Sequence, residues 1–248
     1  MSLRNLLACP PVATFAARAE TLERLELLML GELPPELQAR AEALKVTLEH
    51  ANERFVERLR ERLKARRYSP HGLRRTFARL AGDQDYDTLD QLVAALLDVG
   101  ELPAEQTVRE AEMVFYQPTP ARVILALASR LEPGDVFYDL GSGLGHVVIL
   151  VALLTGARAY GIEIEPTYAR HARRAAGALN LPEAVFVEAD ARTAAFDDGT
   201  AFFLYTPFRG ALLKQVLDRL PAGCRVYTHG PCSEEVRDLA PWLAPMAL

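Results

Sequence analysis

The sequence predicts an α/β protein, a doubly wound parallel sheet preceded by an all-helical N-terminal domain. Beyond Gly100, short runs rich in β-branched and aromatic residues alternate with helical stretches; before it, apolar residues recur only three and four apart. Three alternate glycines also follow directly on the first strand of the second part. At 248 residues the chain suffices for one large domain or two modest ones. With 50% apolar and 25% charged residues, it falls outside the disordered and collagen-like classes. The longest unbroken apolar run, residues 147–154, is well short of the ~20 residues that a membrane-spanning helix needs.

A first helix is predicted over about residues 15–30. Pro34 and Pro35 then set the start of a long amphipathic helix over residues 36–67, in which Leu37, Ala41, Leu44, Leu48, Ala51, Phe55, Leu59 and Leu63 recur at helical spacing. Ser69 reads as an N-cap with Pro70 at the first helical position, opening a helix to about Leu80 that Gly82 ends; another runs over about residues 88–99. Between positions 54 and 79 stand ten basic residues, the first Arg54 and the last Arg79, against only Glu57 and Glu61. A solvated helix face accounts for them, and so does docking of an acidic partner. Strands follow at residues 136–140, 159–162, 185–188, 202–205 and 225–228, with a last helix over about 233–239. The change of texture between Gly100 and Val114 places the domains at 1–105 and 106–248.

Three cysteines, Cys9, Cys224 and Cys232, form no CxxC pair, so no disulfide framework or four-cysteine zinc site is encoded. Leu6-Leu7-Ala8-Cys9 is faintly lipoprotein-like, but its apolar region is too short for a secretory segment. The expected compartment is therefore the cytoplasm.

The chemistry concentrates at Asp139-Leu140-Gly141-Ser142-Gly143-Leu144-Gly145, between a strand and the helical run that begins at His146. Glycines there let the chain turn sharply and let a ligand lie against bare backbone at a helix N-terminus. A dinucleotide fingerprint would need its third glycine at position 146, where His146 stands. Asp139 at the strand end would oppose a pyrophosphate but suits a ligand bearing an ammonium and a sulfonium, which favours S-adenosylmethionine over NAD. Glu163 ends the next strand, placed to accept ribose hydroxyls, and Asp190 with the Ala191 amide follows the third, placed to meet the adenine.

These residues resemble those of class I, seven-strand S-adenosylmethionine-dependent methyltransferases with a Rossmann-like sheet, over about residues 113–230. Phe115-Tyr116-Gln117-Pro118-Thr119-Pro120, the glycine loop, and Gly161-Ile162-Glu163-Ile164-Glu165-Pro166 are similar to the telomeric-silencing type of histone lysine methyltransferases and to small mitochondrial and prokaryotic lysine methyltransferases. The resemblance implies that Tyr116, Gln117 and Thr119 fold over the methionine end of the cofactor, beside Asp139, Gly141, Ser142, Gly143 and Gly145. It also implies methyl transfer to an amine such as a protein lysine. Two departures stand out. Tyr205-Thr206-Pro207-Phe208 replaces both the Asn-Asn-Phe of the histone enzymes and the Asn/Asp-Pro-Pro-Tyr/Phe of DNA-adenine enzymes, removing the amide that would hold a base amino group. After the fifth strand and a helix, too few residues remain for the expected pair of final strands.

Tyr116, Tyr205, Thr206 and Phe208 are thus the expected catalytic surroundings, with Thr206 also toward the cofactor. Taken alone, each aromatic is better explained by core packing; Tyr116 and Tyr205 gain only from their places flanking the expected methyl-transfer point. His146 reads as a packing residue beside the cofactor or as a general base, and His229 as a residue near the substrate. No metal site is expected. RNA or a small metabolite as acceptor, and a non-catalytic cofactor-binding module, are the alternatives.

Overall fold

The computed structural model describes residues 14–248 except 83, 133, 206, 231, 244 and 245, and without the side chains of Cys232 and Ala247. Leu6, Leu7, Ala8, Cys9 and Thr206, singled out above, lie outside the described residues. The chain divides into two compact units, Met1–Arg62 and Leu63–Leu248. This division falls earlier than the 105/106 boundary expected from local texture.

In the first unit, α1 (Phe15–Met29) begins at Thr14, whose hydroxyl accepts from the Ala17 amide, and α2 (Pro35–Lys64) follows a short connection. Leu25, Ala41 and Leu48 bury a small apolar seam between the two helices. At the far end of the pair, Phe15 and Phe55 meet with ring centres 5.4 Å apart, and the Arg18 Nε donates to Asn52 at 2.7 Å. Helix α2 stops short of the predicted residue 67 because Arg66 takes a left-handed backbone, φ 55°.

The second unit opens with α3 (Pro70–Ala78), capped by Ser69 as predicted, and α4 (Thr88–Leu96), capped reciprocally by Asp87 and Asp90. Left-handed Asp98 accompanies the end of α4, ahead of the predicted residue 99. Next come α5 (Ala121–Arg130), β1 (Val136–Leu140), α6 (His146–Thr155), β2 (Arg158–Glu163), α7 (Pro166–Ala178) and β3 (Ala184–Glu188). The chain continues through β4 (Ala201–Leu204), α8 (Gly210–Leu217), β5 (Arg225–Thr228), α9 (Cys232–Leu239) and β6 (Met246–Ala247).

The sheet has the order β3-β2-β1-β4-β5-β6, and every pairing is parallel. In place of the final pair of strands, for which the sequence leaves too few residues, two residues of β6 pair directly with β5; the sheet has six strands among the described residues. Helix α6 is apolar on every face because it is enclosed: the sheet lies on one side, α3 and α5 on the other. Leu73 and Phe77 of α3 and Leu89, Leu92, Val93 and Leu96 of α4 are buried. Helices that local periodicity assigns to the N-terminal half therefore belong to the sheet unit. The order of strands reverses between β1 and β4, and a crevice opens at their carboxyl ends, where parallel sheets of this kind receive ligands.

Candidate cofactor and acceptor site

An open cleft of about 860 Å³ lies at this crevice, and a smaller one of about 300 Å³ adjoins it. Tyr116, Gln117, Gly141 and Tyr205 line both. The larger cleft brings together Gly143, Glu163, Asp190, Ala191 and Phe208; the smaller brings together Thr119, Asp139, Ser142 and His146. All described residues expected at the site thus converge except Gly145, which lines neither cleft. A Cβ on Gly145 would strike Phe186 and Ala172, so this glycine seats the start of α6 against the β3 and α7 layer. Gly143, at φ 52°, carries the close approach: a Cβ there would run into the Tyr116 ring.

Electrostatics single out Asp139. The residue is 3% exposed, and burial together with the nearby Glu163 raises its pKa well above the ordinary aspartate value. A cation brought beside it would favour its charged form. Glu163 is raised too, chiefly by burial, although the amides of Glu165 (2.8 Å) and Gly143 (2.6 Å) donate to its two oxygens and hold it in place. The buried Ser142 Oγ has no hydrogen-bond partner among the described residues. A paired carboxylate array, an unpartnered hydroxyl and a glycine cradle closed by an aromatic ring fit a ligand with a hydroxylated sugar and a cationic end.

His146 is a neutral neighbour here. Burial and the adjacent His171 bring its pKa down to about 4, and its Nδ1 lies 3.2 Å from the Tyr116 hydroxyl. Burial raises the Tyr116 phenol, so it too stays uncharged. Asp190 occupies the expected strand end, but both of its oxygens already accept from the Arg192 side chain at 2.6–3.1 Å, which lowers its pKa. The Arg192 guanidinium also reaches Glu110 at 2.6 Å. His229 stands behind Tyr205, ring centres 5.3 Å apart, with Nδ1 2.9 Å from the Leu248 carbonyl.

Sequence reasoning missed the fastenings of residues 101–120, a strap with no helix or strand that crosses the cleft. One Glu165 oxygen accepts from the amides of Gln106 (3.0 Å) and Thr107 (2.8 Å), the other from the Thr167 amide and hydroxyl. Burial pushes this carboxyl up, but these donors outweigh it and bring its pKa down to about 2. Tyr168 donates to Glu105 at 2.8 Å, and the Glu112 carboxylate caps the first amides of α8. Met113 and Phe208 form an antiparallel bridge, which brings Phe208 to the cleft wall. The one signal available was Glu165 before Pro166, an N-cap position whose side chain was free to reach outward.

The family model described as "Histone methylation protein DOT1" matches residues 121–188, from α5 through β3. A curated relative, the H3 lysine-79 specific histone-lysine N-methyltransferase of Cryptococcus neoformans, is 47% identical over 45 residues. That match covers 18% of this chain and 7% of the relative's length. Among solved structures, an RNA methyltransferase from Salinibacter ruber in complex with S-adenosyl-L-homocysteine is 40% identical, covering 36% of this chain and 60% of its own, with a TM-score of 0.34. A SAM-dependent methyltransferase from Thiobacillus denitrificans is 23% identical over 45% of this chain and 49% of its own, with a TM-score of 0.37. With the strand order, the glycine loop and the carboxylates in place, the second unit has the class I, Rossmann-like S-adenosylmethionine-dependent methyltransferase fold, and its cofactor-binding segment resembles the DOT1-type histone lysine methyltransferases.

Proposed function

We propose that this protein is an S-adenosylmethionine-dependent methyltransferase whose acceptor is an amine, a protein lysine foremost, and that it works in the cytoplasm. The observation that carries the reading is Asp139, a buried carboxyl of raised pKa directly before the glycine loop, with Glu163 beside it at the next strand end. S-adenosylmethionine, when bound, supplies a methyl group on a sulfonium for in-line displacement by a nucleophile. Asp139 and Thr119 would hold its methionine end, Glu163 its ribose, and Ala191 with part of Asp190 its adenine, all of them residues that line the two clefts. Gly141 and Gly143 keep the loop open to it, while Tyr116 covers the loop and excludes water. A lysine of pKa near ~10.4 must lose its proton at a cost of about 4 to 5 kcal/mol at neutral pH. Uncharged Tyr116 and Tyr205 and apolar Phe208 give it surroundings that favour the neutral amine. Their part is to orient and desolvate the nucleophile.

Support for a protein lysine comes from the Cryptococcus relative, an H3 lysine-79 specific histone-lysine N-methyltransferase that is 47% identical to this chain over 45 residues. The test is transfer of labelled methyl from S-adenosylmethionine to purified core histones, lysine-rich peptides, total RNA and a metabolite pool. Label on lysine is expected. Label confined to RNA or a metabolite replaces the acceptor class, and cofactor binding without label in any pool makes the protein a non-catalytic module.

A further inference from the structure

Tyr86 belongs to the loop between α3 and α4, fifteen residues upstream of the strap, and has no role in the site described so far. Its hydroxyl accepts from the Gln117 Nε2 at 2.6 Å and donates to the Pro118 carbonyl at 3.2 Å. It also neighbours Tyr205 and Tyr116, whose phenols it helps to keep protonated. Three tyrosines and Gln117 thus meet where the smaller cleft opens, and Tyr86 itself remains 46% exposed. The loop is built to hold that position. Asp85 pairs with Arg122 at 2.5 Å, Asp87 caps α4, and Asp90 accepts from the Ala121 amide at 2.7 Å, fixing the loop to the start of α5. Tyr86 does so with a left-handed backbone, φ 61°, a conformation that a bulky side chain adopts only when its surroundings impose it.

We propose that Tyr86 is a specificity-determining residue on the acceptor side, forming with Tyr205 and Gln117 the collar through which the acceptor amine enters. The inference rests on the methyltransferase reading above. With the Asp85 charge answered by Arg122 and the phenols protonated, the collar is polar and uncharged. It offers hydroxyl acceptors and aromatic faces to a deprotonated amine without holding it as an ammonium. The strap residues serve cofactor and collar together, whereas Tyr86 lines neither cleft and meets the strap at Gln117 and Pro118.

The test compares S-adenosylhomocysteine with a bisubstrate compound, an adenosyl group bearing an aminoalkyl arm in place of the methyl, by calorimetry on the full chain. Wild type should bind the bisubstrate compound at least ~10-fold more tightly than S-adenosylhomocysteine. Tyr86→Ala should abolish that gain with S-adenosylhomocysteine affinity unchanged, and Tyr86→Phe should keep part of it. Tyr86→Gly, which relieves the backbone, should behave as Tyr86→Ala. Retention of the full gain in Tyr86→Ala overturns this inference and leaves the methyltransferase reading standing. An equal loss for both compounds makes Tyr86 a structural residue and overturns it as well. Absence of any gain in wild type overturns the amine acceptor, and the collar with it.

Discussion

At the residue scale, the site is a set of buried ionisable groups whose charges are settled by burial and by one another. Burial and Glu163 raise the Asp139 pKa, so binding of a cationic ligand should pull it toward the charged form and release a proton. Calorimetry in two buffers of different ionisation enthalpy should show that release, and Asp139→Asn should remove it. Glu163→Ala and Gly143→Val should each lower cofactor affinity at least tenfold while the variants stay folded, the first by losing a ribose acceptor, the second by driving a side chain into Tyr116. His146 yields a stability test. Its pKa falls from the ordinary ~6.5 unfolded to about 4 folded, so the unfolded chain takes up a proton first as the pH drops. Wild type should therefore lose up to about 3 kcal/mol relative to His146→Gln as the pH falls from about 8 to 4, with no difference in slope above about pH 8. Parallel slopes in denaturant titrations would contradict it. The spacing of Asp139, the glycines and Glu163 was legible in the sequence because each closes a strand. The different duties of Gly143 and Gly145 were not, because Tyr116 and Phe186 come from distant segments.

At the scale of elements, the strap of residues 101–120 matters most. Its backbone is held by the Glu165 carboxylate and by backbone bonds of Glu112 and Val114 to Arg209 and Pro207, and loops of this length without secondary structure are usually functional. Glu165→Ala should cost about 2 kcal/mol, speed amide exchange across residues 105–117, and weaken S-adenosylhomocysteine binding. Glu188→Ala, which breaks only an exposed pair with Arg173, should do none of these. The Glu165 carboxyl is lowered to about 2, so its contribution is present above the ordinary ~4.3 and is lost only as the pH falls toward 2. The strap should stay fastened at pH 5. The strands β1, β2, β3 and β5 were legible to within a residue or two because their apolar runs are short and bounded by turns; β4 lies one residue earlier than its run suggested. The strap was illegible because no periodicity records hydrogen bonds to a side chain sixty residues away.

For the whole molecule, texture and packing divide the chain at different places. Local period assigns every helix before Gly100 to one domain, yet Leu73, Phe77, Leu89 and Val93 are buried in the unit that holds the sheet. A chain beginning at Leu63 should therefore fold and bind S-adenosylhomocysteine like the full chain, whereas one beginning at residue 106, stripped of α3 and α4, should lose cooperative unfolding. Equal stability of the two would contradict the division at Arg62. The most direct test of the central claim is parallel calorimetric titration of the purified protein with S-adenosylmethionine, S-adenosylhomocysteine and NAD. A class I cofactor site predicts micromolar binding of the two sulfur compounds and none of NAD. Binding of NAD alone, or of none of the three, would contradict it.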